Sequence, residues 1–203
     1  MTAAADAEFI DLAFPLRGGD ILADYAEALR DELVRVLPWL ADEPLAAVLP
    51  LARIAHQGSR LILSGRTRLI LRLPMARVED ACGLAGRRLD IGDGLDVGAG
   101  GARPLWPSEV LYSTFVDLDE TTEGDFVAAC REALDALGLE RELVCGKARR
   151  AQTREGPRVG HSVMIYGLKA GESLRLQRMG LGQGRLEGRG VFVPHKSVAA
   201  VGE

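Results

Sequence analysis

Aromatic residues are scarce in this chain, 5% of 203 residues. A surface that reads RNA mainly by stacking bases on Phe and Tyr is therefore not the expected mode for a nucleic-acid partner. Cysteines are fewer still. Cys82, Cys130 and Cys145 are odd in number, widely spaced and without a C-x-x-C pair. That argues against a disulfide framework or a zinc site and suits a reducing cytoplasm. Apolar runs are short and broken by Pro44, Pro50 or charge. They fall well below the ~20 residues of a membrane helix, so no membrane partner is expected. The opening MTAAADAEF has no basic n-region and does not read as a secretory signal. No Gly-Lys-Ser/Thr occurs, which excludes a P-loop, and no G-x-G-x-x-G joins a strand to a helix.

What is present is enough apolar residue, 47%, to bury a core as one domain or two small ones. The net charge of −4 would by itself speak against nucleic acid, but its distribution is uneven. From Lys147 to Lys196 there are eleven Lys or Arg against three acids (Glu155, Glu172, Glu187), a balance of +8, so the rest of the chain carries −12. A basic block in an acidic chain points to an anionic partner; charge alone leaves a solvated surface as the alternative.

Hydrophobic spacing gives the element order. EFIDLAFPLRGG reads as a strand leaving through a glycine turn. Leu22, Tyr25, Leu29, Leu33 and Val36 then recur at helical spacing until Pro38. Residues 41–57 are ambiguous. SRLILSGRTRLILRLP looks like a hairpin turning near Ser64 and Gly65, followed by a short helix over 75–85 and a glycine-broken strand region over 88–103. After ARPLWPSE the order begins again: strand 110–119, a helix with a Thr122/Asp125 cap and Phe126, Cys130, Ala133 and Leu137 on one stripe, and Gly138 as its stop. Two strands around a basic turn, a helix AGESLRLQRM, a glycine loop and a strand GVFVP complete it. The expected fold class is α+β, two tandem ferredoxin-like (split β-α-β) units, over residues 1–107 and 108–203.

The loop MGLGQGRLEGRG holds five glycines between 180 and 190, among them Arg185 and Arg189. Glycine permits positive φ and close approach, so the expectation is backbone N–H groups offered to phosphate oxygens. A connector whose glycines only make turns is the bland alternative.

The spacing Gly180-Leu181-Gly182, five residues, Gly188-Arg189-Gly190 resembles the glycine-rich loop of the CRISPR-associated Cas-six endoribonucleases. So do its place between the last helix and last strand, and the stretches FIDLAFPLRG, VLPWL, SGRTRLILRLP, GHSVMIYGL and ESLRLQRMGLG…GVFVP. The likeness covers most of the chain and is greatest to the MYXAN subtype; Arg189 departs from it, a hydrophobic residue being usual there. The resemblance implies cleavage of precursor CRISPR RNA within its repeats, without metal or cofactor. The ribose 2′-hydroxyl attacks the adjacent phosphate and leaves a 2′,3′-cyclic phosphate. It also implies a product that stays on the repeat stem-loop and possible partners among the Cas proteins of a surveillance complex.

Such chemistry needs a base, an acid and cations around the phosphorus. His56 lies in the neighbourhood of the family's histidines and is the candidate base. The subtype's histidine–proline pair, however, falls here on Leu49-Pro50, so either His56 acts from a shifted position or the protein cuts slowly or not at all. His161 alternates with Val163 and Ile165 and belongs on a sheet face; His195 follows the last strand in a tail. Tyr25 and Tyr112 are possible partners of the base, Tyr25 on the core stripe of its helix, and Lys147 is a candidate with Arg149 and Arg150 in the basic turn. Arg66, Arg68 and Arg72 share one face of a strand at period two. With Arg154, Arg158, Arg185, Arg189 and the loop glycines Gly180, Gly182, Gly188 and Gly190, they form the expected RNA-binding set. A catalytically weak crRNA-binding subunit, and a ferredoxin-like protein whose loop holds a small phosphorylated ligand, are the alternative functions.

Overall fold

In the computed structural model, residues 8–52, 54–120 and 122–195 are described. Lys196 of the basic block and residues 1–7 of the leading segment lie outside them. Thirteen strands and four α-helices are present among the described residues. They are β1 (Phe9–Gly18), β2 (Ile21–Leu22), α1 (Ala26–Val36), β3 (Ala47–Val48), β4 (Ile54–Gln57), β5 (Arg60–Leu63), β6 (Arg68–Pro74), α2 (Val78–Ala81), β7 (Arg88–Leu89), β8 (Leu95–Val97), β9 (Gly101–Pro104), β10 (Leu111–Val116), α3 (Glu123–Ala136), β11 (Leu143–Thr153), β12 (Gly156–Ile165), α4 (Ala170–Met179) and β13 (Val193–Pro194). This is a mixed fold of helices and antiparallel sheets. No helix among the described residues is long and apolar enough to cross a membrane.

The chain divides into two units. One takes the chain up to Leu105 together with Gln152–Glu155 and Arg185–Gly188; the other takes Trp106–Ala151, Gly156–Gly184 and the chain from Arg189 onward.

The first unit is organised by β1. Ile10, Leu12, Phe14 and Leu16 point to one side and are buried, as period-two alternation requires. They meet Leu69, Leu71 and Leu73 of β6 and the α1 residues Leu29 and Leu33 in one core. β1 and β6 pair antiparallel from Phe9↔Pro74 to Pro15↔Arg68, and β9 lies on the other side of β1 with Asp11↔Arg103. The sheet runs β3-β6-β1-β8-β7 with β9 beside β1.

One expectation is corrected here. Residues 59–74 are not a hairpin: a turn does stand at Ser64–Thr67, where Thr67 N donates to Ser64 O (2.9 Å), but β5 pairs with β2 and β4 in a separate sheet. The alternating leucines of β6 are better buried beside β1 than beside β5, whose Ile62 is exposed. Tertiary burial decides the partner.

In the second unit the sheet order is β11-β12-β10-β13, with Leu111↔Ile165 and Tyr112↔Met164 in register. α3 is capped as its sequence predicts, Thr122 Oγ1 accepting from Asp125 N at 3.2 Å. Phe126, Cys130 and Leu134 of α3 and Leu176 of α4 close the core over Leu111, Val163, Ile165 and Phe192. α4 is fixed at its start by Glu172, which takes the Lys169 N–H (2.8 Å) and both arms of Arg141 (2.9 and 2.6 Å).

Candidate nucleic-acid interface

The glycine loop uses its backbone on the protein itself. In the second unit Gly190 N donates to Phe115 O (2.7 Å), Gln183 N to Asp117 O (3.2 Å), Leu181 N to Gly190 O (3.1 Å) and Arg189 N to Gly184 O (3.1 Å). A Cβ on Gly190 would run into Leu181 O, and one on Gly182 into Asp117 O. The close approach that forces glycine is therefore to the end of β10 and to the loop's own backbone. Gly180 N, too, is taken, by Leu176 O (2.8 Å).

The middle of the loop is built into the first unit. Arg185–Glu187 form a single 3-10 turn. Leu186 packs on the core, Arg185 Nη2 donates to Leu45 O (3.0 Å) and Glu187 pairs with Arg30. Gly188 N closes the turn on Arg185 O (3.2 Å), and its missing side chain leaves room for Pro50, whose ring would stand 3.2 Å from a Cβ. Burial, with Arg72 nearby, lowers the Arg185 guanidinium to about 10. Arg185 is half-buried, and its guanidinium is held at Leu45 O.

Ion pairing sorts the remaining cations. Arg72 is 1% exposed and makes a two-armed pair with Asp11 (Nε–Oδ1 2.7 Å, Nη2–Oδ2 3.0 Å). Arg189 meets the buried Asp117 (3.0 Å), and Arg158 meets Asp119 and, at 3.8 Å, Asp117. Arg154 is at the β11–β12 turn, paired with Asp31 (2.5 Å), its N–H on Glu27 (2.9 Å). Each of these four, expected to face RNA, has a carboxylate partner from a distant part of the sequence, and Arg154 is still 65% exposed.

Two groups of cations have no carboxylate partner among the described residues. Lys147, Arg149 and Arg150 are exposed and have no carboxylate partner among the described residues. They stand within β11 rather than in a turn, so Lys147 and Arg149 share one face and Arg150 the other. In the first unit, Arg66, Arg68 and Arg103 line a concavity of about 330 Å³ with Pro50, Ala52 and Ile70. None of the three arginines has a carboxylate partner among the described residues. Arg103 was not legible in the sequence: its place depends on β9 joining β1, a strand about ninety residues earlier.

The candidate acid–base groups are placed as follows. His56 is exposed on β4, an edge strand, paired with Leu61. It has no side-chain partner among the described residues. Leu49 is buried and its N–H donates to Ile70 O (2.9 Å), extending the β3–β6 ladder. Tyr25 precedes α1, and its hydroxyl accepts from Leu51 N (2.9 Å), with burial raising its phenol above the ordinary value. His161 is a core histidine, its ring 4.4 Å from Phe126 and its Nδ1 3.0 Å from Gly146 O. His195 is not in a loose tail. Its N–H donates to Val110 O (3.0 Å) and its ring lies 5.5 Å from Tyr112.

Comparison with known proteins bears on what such surfaces serve. The sequence pattern of the family described as Cas6 Crispr matches residues 10–197. The CRISPR-associated endonuclease Cas6 of Myxococcus xanthus (strain DK1622) is 34% identical over 195 residues, 95% of this chain and 84% of the relative. Among solved structures, a CRISPR associated protein Cas6 superposes with a TM-score of 0.64 at 11% identity, covering 93% of this chain and all of the other. A RAMP protein binding different RNA substrates gives 0.63 at 12% identity, covering 92% and 100%. The solved structures share the fold, and the sequence match spans nearly the whole chain: this protein belongs to the Cas6 family of CRISPR-associated endoribonucleases.

Proposed function

We propose that this protein cleaves the repeats of precursor CRISPR RNA by attack of the ribose 2′-hydroxyl on the neighbouring phosphate, leaving a 2′,3′-cyclic phosphate and a free 5′-hydroxyl. No metal ion takes part in this reading. The observation that carries it is the family match over residues 10–197. The arginines and lysine without a carboxylate partner among the described residues support it, since a polyanion is the partner that such groups attract. The product stays on the repeat stem-loop and passes from there to other Cas proteins. We read both units as variations on a ferredoxin-like plan, supported by the β11-β12-β10-β13 order of the second.

His56 is the general base in this proposal: it is exposed, and an imidazole nitrogen can take up the proton of the 2′-hydroxyl. Lys147, Arg149 and Arg150 are assigned to the phosphate backbone. Tyr25 is assigned to structure, because its hydroxyl already serves Leu51 N. A second reading, a crRNA-binding member with little or no cleavage, is favoured by the apolar, buried Leu49 and by the lack of a side-chain partner to orient His56 among the described residues.

The test is incubation with the repeat RNA of the protein's own array in EDTA, beside an RNA carrying one 2′-deoxy nucleotide at the cut and beside His56→Ala. Cleavage that survives EDTA, fails on the 2′-deoxy RNA and collapses in the variant is expected. Undiminished cleavage by the variant removes His56 from the mechanism. Tight binding without cleavage selects the second reading. A salt-insensitive protein that ignores the RNA would leave the small-ligand alternative.

A further inference from the structure

We propose that the concavity lined by Pro50, Ala52, Arg66, Arg68, Ile70 and Arg103 holds a single nucleotide of the RNA strand. The phosphodiester lies on the guanidinium groups, and ribose and base lie against the apolar floor. The proposal rests on the RNA-binding reading above and adds a place, a ligand class and a residue, Arg103.

Charge is the first argument. Asp11 of β1 is opposite Arg72 of β6 on one side and Arg103 of β9 on the other. One carboxylate thus faces two arginines, and Arg72 takes both of its oxygens. Arg103 stands beside Arg66 and Arg68 without a carboxylate partner, and no acid lines the concavity among the described residues. Three positive side chains without a counter-charge favour an anion, and the guanidinium fork matches phosphate oxygens.

Preorganisation is the second. Arg68 Nη1 donates to two backbone carbonyls, Gly65 O (3.0 Å) and Thr67 O (2.8 Å), which aim the group without neutralising it. The turn beneath is locked by Ser64 N on Thr67 Oγ1 (2.9 Å) and Arg66 N on Ser64 Oγ (3.2 Å). Pro50, of the apolar lining, rests against Gly188. The ordering cost of Arg68 is therefore already met in the folded protein.

Shape and chemistry are the third. The volume, about 330 Å³, is at the lower end of ligand pockets, which span roughly 300–1,000 Å³. A bare phosphate would leave the Pro50–Ala52–Ile70 floor uncovered, whereas a nucleotide covers it; an acidic peptide lacks the flat apolar base that such a floor fits.

Two measurements on the full chain test this. First, binding of the repeat RNA is followed by fluorescence anisotropy over a series of KCl concentrations for wild type, Arg66→Gln, Arg103→Gln and, as control, the exposed Arg131→Gln. Loss of one phosphate contact on a single strand lowers the log–log salt slope by about 0.7. Arg66→Gln and Arg103→Gln are each expected to weaken binding and lower the slope by about that amount, the control by nothing. Second, 4-thiouridine placed at successive RNA positions is expected to crosslink at one position to a peptide containing residues 50–52 or 70. Wild-type slopes in both variants, with wild type still binding and cleaving, would overturn the inference and leave the function intact. A lowered slope with no crosslink to the floor would overturn the nucleotide assignment, as would competition by polyglutamate as strong as by RNA. Failure of the wild type to bind repeat RNA at all would instead remove the functional reading beneath it.

Discussion

Asp11 Oδ1 lies 2.7 Å from Arg72 Nε and Asp11 Oδ2 lies 3.0 Å from Arg72 Nη2, a two-armed pair on a guanidinium that is 1% exposed. Removing Asp11 takes the carboxylate from a guanidinium that is 1% exposed, while Asp11 itself is partly open to solvent. Asp11→Ala is expected to lower stability by about 3–5 kcal/mol, read by urea denaturation. Replacing both partners with apolar residues, Asp11→Leu with Arg72→Met, is expected to recover most of that loss, because no charge is left buried.

Arg189 stands in the glycine loop among residues expected to meet RNA, but its charge answers Asp117. Arg189→Gln should leave the salt slope of RNA binding unchanged and lower stability by about 1.5–3 kcal/mol, the range for a hydrogen bond to a charged group. A fall in the slope with unchanged stability would return Arg189 to the RNA surface.

Tyr25→Phe removes the acceptor of the Leu51 N–H while keeping the ring. The buried donor left behind costs about 1–3 kcal/mol. Denaturation should report that loss, and the pH–rate profile of cleavage should keep its alkaline limb. A shift in that limb would make the phenol a participant in proton transfer.

Glu172 is held below the usual carboxylate range by the hydrogen bonds from Arg141 and then by the Lys169 N–H. The folded state therefore releases this proton more readily than the unfolded chain, where a glutamate titrates at about 4.3. The stabilisation is fully present above that value and fades as pH falls through the lower folded value. Glu172→Gln should show a smaller loss of urea midpoint than wild type on acidification, and the difference should vanish in strong acid.

Gly190→Ala is expected to destabilise by more than about 1 kcal/mol, since φ is +64° and the new methyl would enter Leu181 O. Gly65→Ala, with nothing within 4 Å of the new Cβ, is the control and should be near neutral. Thermal melting distinguishes the two.

The helices were legible because their cues are local. Thr122 with Asp125, Gly138 and the Leu29/Leu33 stripe sit within a few residues of what they control. The β5–β6 separation was not, because a turn at Ser64–Thr67 permits a hairpin and only the competition for β1 forbids it. The same holds for the cations. Local spacing correctly put Arg68 and Arg72 on one face of β6, but it is Asp11, sixty-one residues away, that buries one and leaves the other without a carboxylate. Glycine at 182, 188 and 190 announced close approach in the sequence, yet what is approached is Asp117 just past β10, Pro50 and the loop's own Leu181. Single-residue patterns report a need for space or charge; which group supplies it depends on the whole chain.

Because Leu186 fills the first core, Glu187 answers Arg30 and Arg154 answers Asp31, a fragment ending at Leu105 would lack these partners. The first unit is thus not heritable as one contiguous cassette. A chimaera joined near that residue would therefore need matching partners some fifty and eighty residues downstream to keep the first core and its ion pairs.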